Sequence, residues 1–325
     1  NPFGALQSAA TVEDLVRRSY GLRRPAWRRL LASSREPRRG GRNCKAGSLD
    51  VREIVGWYIT ALEKILGPSS DRFKASCRNL PGDSDRKREI LGLLNAEARK
   101  RISLPETDNA RLSGPIAVVA GRWFDLHREL GICVREMNLE TVLRQRPGEF
   151  SSRLGRVVIG GPTDDIHDMH DAFMVIDVGG SDRYRRHRAD CGEAKVIVDL
   201  SGDDTYLQDD ASLFGFQASI DRSGNDRYSS AGAGNGATFG GLSLLLDLAG
   251  NDTYRNGKFG QGAAAHGVSA LIDANGDDEY VLGEAGQGFG ATGGTGILWD
   301  VAGDDTYTAT GRFSLAQGSA FGWRF

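Results

Sequence analysis

Apolar positions change their spacing halfway along the chain. In residues 11–31 and 50–66 they recur at helical intervals, as at Val51, Ile54, Tyr58, Leu62 and Ile65, with Asp50 placed as an N-cap. Residues 84–102 and 115–130 show the same pattern, and Pro68, Pro81 and Pro105 stand between these stretches as breakers. Helices are therefore expected up to about residue 150. Beyond it the apolar residues gather in short runs: FMVI before Asp177, KVIV before Asp199, LSLLL before Asp247, VSALI before Asp273 and GILW before Asp300. Runs this short, rich in β-branched or large apolar types, are expected to be buried strands.

The runs lead into one eight-residue pattern, D-x-x-G-x-D-x-Y. It reads DVGGSDRY from Asp177, DLSGDDTY from Asp199, DRSGNDRY from Asp221, DLAGNDTY from Asp247, DANGDDEY from Asp273 and DVAGDDTY from Asp300. The first Asp recurs at intervals of 22, 22, 26, 26 and 27 residues, a repeat that sets the architecture. Gly-rich segments follow, with a polar amide 14 residues beyond the first Asp at Asn235, Gln261 and Gln287, and 17 beyond it at Gln317. A strand, a turn and a second strand or corner in so few residues make one coil of a parallel β-solenoid, whereas a propeller blade needs around 40 residues. The expected fold is thus an α+β two-part chain. Residues 1–150 form a basic helical domain or solenoid cap, 151–172 a His/Asp-rich junction, and 173–325 an acidic, Gly-rich parallel β-solenoid (β-helix) of about six to seven coils. In such a stack Asn235, Gln261, Gln287 and Gln317 are expected to form an amide ladder.

Composition sharpens this division. The chain has 44 Gly but nine Pro and no G-X-Y triplet, which excludes collagen and low-complexity disorder. The net charge of −2 is a cancellation, because residues 1–150 carry +10 and 151–325 carry −12. Eleven basic residues lie between Arg17 and Lys45. They suit docking onto the acidic half, a solvated face, or an external polysaccharide or other anionic polymer. No nucleic-acid motif accompanies them, and Tyr20 and Trp27 are too few for a stacking platform. The chain begins at Asn1 without a charged and then apolar leader, and no run of about 18 apolar residues predicts a transmembrane segment. Cys44, Cys77, Cys133 and Cys191 lack C-x-x-C spacing, leaving a disulfide in a periplasmic or secreted protein and buried free thiols as the two readings.

Stacked carboxylates repel unless something offsets them. One reading has the first Asp cap a turn, Gly supply the tight backbone and Tyr stack on the next Tyr. In the other, Asp177, Asp182, Asp199, Asp204, Asp221, Asp226, Asp247, Asp252, Asp273, Asp278, Asp300 and Asp305 supply oxygen ligands to Ca²⁺ between coils. Asp203, Asn225, Asn251, Asp277 and Asp304, just before the second Asp, suit either. On these residues the octads resemble the calcium-binding nonapeptide repeat of RTX proteins, which also combines Gly, Asp and one large residue. The resemblance is confined to residues 177–307 and implies a calcium-binding solenoid. The octads depart from that family in their longer period and in placing Tyr where it prefers an aliphatic residue.

A second cluster lies in GPTDDIHDMHD, residues 161–171. His167 and His170, three apart, with Asp168 and Asp171 beside them, suit another divalent metal or acid/base chemistry, unless the segment is only a polar loop. His266, a further candidate for a metal or catalytic role, interrupts a phase otherwise held by small residues, and His187 stands apart. There is no G-x-S-x-G, Walker loop or strand-linked G-x-G-x-x-G. Three functions follow: an extracytoplasmic binding or scaffold solenoid with Ca²⁺-stabilised turns, a hydrolase or lyase acting on a polysaccharide or other polymer, and a basic helical adaptor. The final FGWRF is expected to cap the solenoid end or to pair with another molecule in self-association.

Overall fold

A computed structural model describes residues 51–78, 106–138 and, apart from short gaps at 139–141, 145, 187–188, 190–191, 209–210, 292 and 312–313, the stretch 142–320. The helices expected at 11–31 and 84–102, the basic stretch from Arg17 to Lys45, His187 and the final FGWRF lie outside these residues.

Two helices are described, α1 (Val51–Arg78) and α2 (Glu106–Glu136). Each continues through a proline expected at a boundary, Pro68 in α1 and Pro115 in α2. Proline removes one intrahelical hydrogen bond and kinks a helix, but need not end one that an apolar stripe holds against a partner. That stripe is Val51, Ile54, Val55, Tyr58 and Leu62 on α1, buried in one cluster with Ile116, Val119, Trp123 and Leu130 of α2. Within it His127 is fully satisfied: its Nδ1 donates to the Trp123 carbonyl at 2.7 Å, leaving Nε2 to accept the Tyr58 hydroxyl at 2.8 Å. Burial lowers the His127 pKa to about 4. No described helix is long and apolar enough to cross a membrane.

The rest is a parallel β-solenoid, with a coil count close to that expected. Its first sheet holds β1 (Gly148–Ser152), β2 (Gly155–Ile159), β4 (Ala172–Asp177), β6 (Ala194–Asp199), β9 (Phe216–Asp221), β12 (Leu242–Asp247), β15 (Val268–Asp273) and β17 (Thr295–Asp300), in that order. The second runs β3 (Ile166–Asp168), β5 (Arg183–Arg186), β7 (Thr205–Gln208), β10 (Arg227–Ser230), β13 (Thr253–Gly260), β16 (Glu279–Gly286) and β18 (Thr306–Ala309). A short third sheet holds β8 (Ser212–Leu213), β11 (Thr238–Phe239) and β14 (Ala264–Ala265). Only β1 is antiparallel, and it covers the leading edge of the first sheet by pairing with β2.

From β4 to β15 the first sheet is buried on both faces, which is why these strands read as continuous apolar runs rather than alternating ones. One face, with Val175, Ile197, Leu245 and Leu271, packs inside the coil against the octad tyrosines. The other, with Val196, Val198, Ile220, Leu244, Leu246 and Ile272, belongs to the same core as the helices. Contact is close: a Cβ on Gly131 of α2 would lie 2.9 Å from the Leu246 side chain. Each Leu or Ile buried there contributes about 1.5–3 kcal/mol. The described helices therefore meet the solenoid on its flank, at a middle strand.

Candidate metal centre

The octads stack in perfect register. Asp177, Asp199, Asp221, Asp247, Asp273 and Asp300 are paired from coil to coil at the end of the first sheet. Tyr184, Tyr206, Tyr228, Tyr254, Tyr280 and Tyr307 are paired likewise in the second. The tyrosine rings form one stack, with centroids 4.5–4.9 Å apart and planes within 8° of parallel.

Hydrogen bonding settles most of what the aspartates do. The first Asp closes a turn through Oδ1, which accepts the N–H two residues on, as in Asp177 to Gly179 and Asp199 to Ser201. Its Oδ2 accepts the hydroxyl of the tyrosine one coil earlier: Tyr184 to Asp199, Tyr206 to Asp221, Tyr228 to Asp247 at 2.8 Å and Tyr254 to Asp273 at 2.6 Å. The second Asp uses Oδ1 to accept the N–H of the second Asp one coil earlier, from Asp182 to Asp204 through Asp278 to Asp305. Asp203, Asn225, Asn251 and Asp277 form an exposed column that runs the opposite way, each accepting through its side chain the main-chain N–H of the equivalent residue one coil later. Tyr254→Phe should keep the ring stack yet strand the Asp273 oxygen, costing about 1–3 kcal/mol in chemical denaturation.

One oxygen per coil is left over. Oδ2 of Asp182, Asp204, Asp226, Asp252 and Asp278 is buried and receives no N–H or hydroxyl donor, in residues no more than 3% exposed; the carboxyls of Asp204, Asp226, Asp252 and Asp278 lie in hydrogen-bond range of Asp199, Asp221, Asp247 and Asp273, with which they can share a proton. Turn and tyrosine bonds explain the other oxygens in most repeats, though Oδ1 of Asp221 and of Asp300 is also buried without a partner. A buried acceptor without a donor is costly, and more so when ionised. Burial, with the neighbouring carboxylates adding to it, drives the column toward its protonated form. Asp204 is pushed up to about 6, Asp182 to about 7, Asp252 to about 8, and Asp226 and Asp273 to about 9. Asp199, Asp221 and Asp247 are raised further, again chiefly by burial.

These carboxylates converge in groups that could hold an ion. Asp182, Asp199 and Asp204 bring ligand oxygens within 4.8 Å of one another, as do Asp204, Asp221 and Asp226; Asp226, Asp247 and Asp252; and Asp252, Asp273 and Asp278. Each group joins the second Asp of one coil to both aspartates of the next. The same burial removes these acids from any polymer outside, so they are not placed for acid/base cleavage. Tyr307, in the last coil among the described residues, donates to Asp300 of its own coil at 2.7 Å. Tyr280 is left with a buried, unpartnered hydroxyl.

His167 and His170 are not brought together. His167 lies on β3, buried, paired in register with Tyr184 and stacked on its ring at 5.1 Å. Its Nε2 meets Asp177 Oδ2 at 2.6 Å, the same bond that each tyrosine makes to the coil after it. Burial opposes charge on this imidazole, but the hydrogen bond and charge of Asp177, then Asp182 and Asp165, outweigh it and raise the pKa. His170 and Asp171 are exposed on the following turn, where Asp168 accepts the His170 N–H. That turn is fastened by Lys195, whose Nζ donates to the carbonyls of Met169, His170 and Ala172.

The expected His/Asp junction is therefore a degenerate first coil. Gly160 occupies the first-Asp position, Asp165 the second and His167 that of Tyr. Asp165 precedes Asp182 by 17 residues, not by 22 or more, and the missing Asp and Tyr hid the repeat. The shared offset of 17 was the signal that could have revealed it.

The amide positions also share one phase. Gly262, Gly288 and Gly318 donate to the carbonyls of Asn235, Gln261 and Gln287 in the preceding coil. All four amide residues have φ between 47° and 56°, in the left-handed region. Their side chains do not pair with one another: Asn235 donates to the carbonyls of Tyr228 and Arg255, and Gln261 to those of Tyr254 and Val281. These bonds tie the corner to two coils of the second sheet. His266 is a half-buried corner residue at φ 49° with a buried, unpartnered Nδ1, and burial lowers its pKa. A groove of about 510 Å³ on the second sheet, with Gln208, Ser230, Arg255 and Asn256 in its wall, contains no carboxylate or imidazole. No family model, curated protein or solved structure matches this chain, so what it does must be argued from the aspartate column itself.

Proposed function

We propose that this chain is an extracytoplasmic scaffold or binding protein whose solenoid is held together by Ca²⁺ between its coils. The observation that carries this reading is the line of five buried Oδ2 atoms without an N–H or hydroxyl donor, one in each of five successive coils. Two carboxylates per coil bring two negative charges, and one divalent cation per coil balances them. Ca²⁺ suits an all-oxygen site and takes six to eight ligands, so main-chain carbonyls or water complete what three aspartates begin. The resemblance to RTX repeats points to the same ion. Cys133, the one cysteine whose side chain is described, is disulfide-bonded. That favours an oxidising compartment, where calcium is also plentiful enough for sites of modest affinity.

As a scaffold the solenoid supplies a rigid rod, with the helices along one sheet and an open groove on another. Equilibrium dialysis of the chelator-stripped chain against millimolar Ca²⁺ is expected to give at least four ions per chain, one for each all-aspartate group. Asp226→Asn with Asp252→Asn should remove two or more of them. No bound calcium in the unsubstituted protein would overturn the reading.

A further inference from the structure

The head of the column differs chemically from the rest of it. Asp165, His167, Asp177 and Asp182 bring ligand atoms within 4.8 Å of one another, and this is the one such group specified among the described residues that includes a nitrogen. His167 and Asp177 are buried, and Asp182 adds its partnerless Oδ2. Turn-building does not explain the histidine. Its stacking and its bond to Asp177 are what a tyrosine performs in the coils that follow, so Tyr would serve there equally well. A tyrosine hydroxyl satisfies Asp177 by donating, whereas an imidazole also offers a lone pair to a metal. Gly160 completes the difference. A Cβ at that position would sit 1.7 Å from Asp177 Oδ2 and 3.1 Å from His167 Cε1, so the absent first Asp is what lets the Asp177 carboxylate reach the imidazole. Asp165 is only half-buried, which opens this group to solvent at the end of the stack.

We propose that Asp165, His167, Asp177 and Asp182 form a separate site for a borderline transition-metal dication of the Zn²⁺ class, at the head of a column otherwise suited to Ca²⁺. Imidazole with carboxylates selects such ions, while all-oxygen groups select hard ones. Binding displaces the proton held between His167 Nε2 and Asp177 Oδ2, which leaves to solvent. The two atoms then part from 2.6 Å to about 3.3 Å, as bonds near 2.0–2.1 Å around a tetrahedral ion require. The site shares only Asp182 with the groups below, and its other three ligands belong to it alone.

Co²⁺ is a suitable probe because its visible d–d absorption reports coordination geometry. Titrating the tag-free full chain in millimolar Ca²⁺ should give one saturable Co²⁺ equivalent, displaced by Zn²⁺. His167→Tyr, which restores the repeat's own residue and should melt like the parent, is expected to weaken Co²⁺ binding more than tenfold, and His170→Ala to leave it unchanged. Should His167→Tyr fail to fold, Asp165→Asn at the solvent-facing ligand is expected to show the same loss. No saturable Co²⁺ binding in the unsubstituted chain, or full binding in either ligand variant, overturns the proposal. A chain that binds Co²⁺ as expected yet takes up no Ca²⁺ would sink the calcium reading alone.

Discussion

Chelating divalent cations at pH 8 is expected to lower the melting temperature by about 10 °C or more, and moving the chelated sample to pH 5 to recover most of the loss. The sign follows from the direction of the pKa shifts. Buried carboxyls such as Asp226 and Asp273, at about 9, and Asp252, at about 8, hold protons in the folded state that an unfolded chain has released by pH 5. Between about pH 4 and those folded values the folded state binds more protons, so stability is greatest at the acid end and falls as pH rises. One such group alone gives about 1.4 kcal/mol per pH unit, hence about 4 kcal/mol from pH 5 to pH 8. At roughly 2–4 °C per kcal/mol for a chain of this size, that is already about 10 °C. Calcium should flatten the profile near neutrality by balancing the ionised carboxylates. Scanning calorimetry with and without chelator at the two pH values checks this, and identical melts in all four conditions would contradict it.

Gly224→Ala is expected to cost more than 4 kcal/mol and to break the solenoid near its middle. A Cβ there would lie 1.6 Å from the carbonyl oxygen of Gly202 in the preceding coil, and Gly250, Gly276 and Gly303 meet their predecessors as closely. The clash is with main chain, so no side chain can move to relieve it, and separating the coils would disturb the tyrosine stack and the aspartate column together. Gly56→Ala in α1 is the matched control, since nothing lies within 4 Å of its would-be Cβ. It should stabilise the helix by about 1 kcal/mol. Circular dichroism and limited proteolysis of the two variants distinguish them, and a Gly224→Ala chain that melts like its parent would contradict the expected coil spacing.

Much of the architecture is legible because each coil repeats the same local chemistry. Asp, Gly and Tyr recur at set offsets, and a strand too apolar to face water announces a sheet buried on both sides. The helical pair is legible from the spacing of Val51, Ile54, Tyr58 and Leu62, but not its extent, because a proline weakens a helix locally without having to end it. What the octads do not disclose is which oxygens are already spoken for. Asp199 and Asp204 look alike in sequence, yet Asp199 is fully engaged by a tyrosine and a turn N–H, while Asp204 keeps an Oδ2 without an N–H or hydroxyl donor. That distinction depends on contacts between residues 15 to 26 apart. For His167 proximity in sequence suggested His170 as its neighbour, whereas a solenoid places Asp177 and Tyr184 beside it instead.

The central claim is that cations, not protons or turn geometry alone, balance the buried aspartates between coils. Anomalous diffraction from a crystal grown in calcium, with manganese substituted as a stronger scatterer, tests it most directly. A file of peaks along the column from Asp182 to Asp278, spaced by the coil repeat of about 4.8 Å, is the expected result. A well-ordered solenoid with no anomalous density between those carboxylates would contradict it.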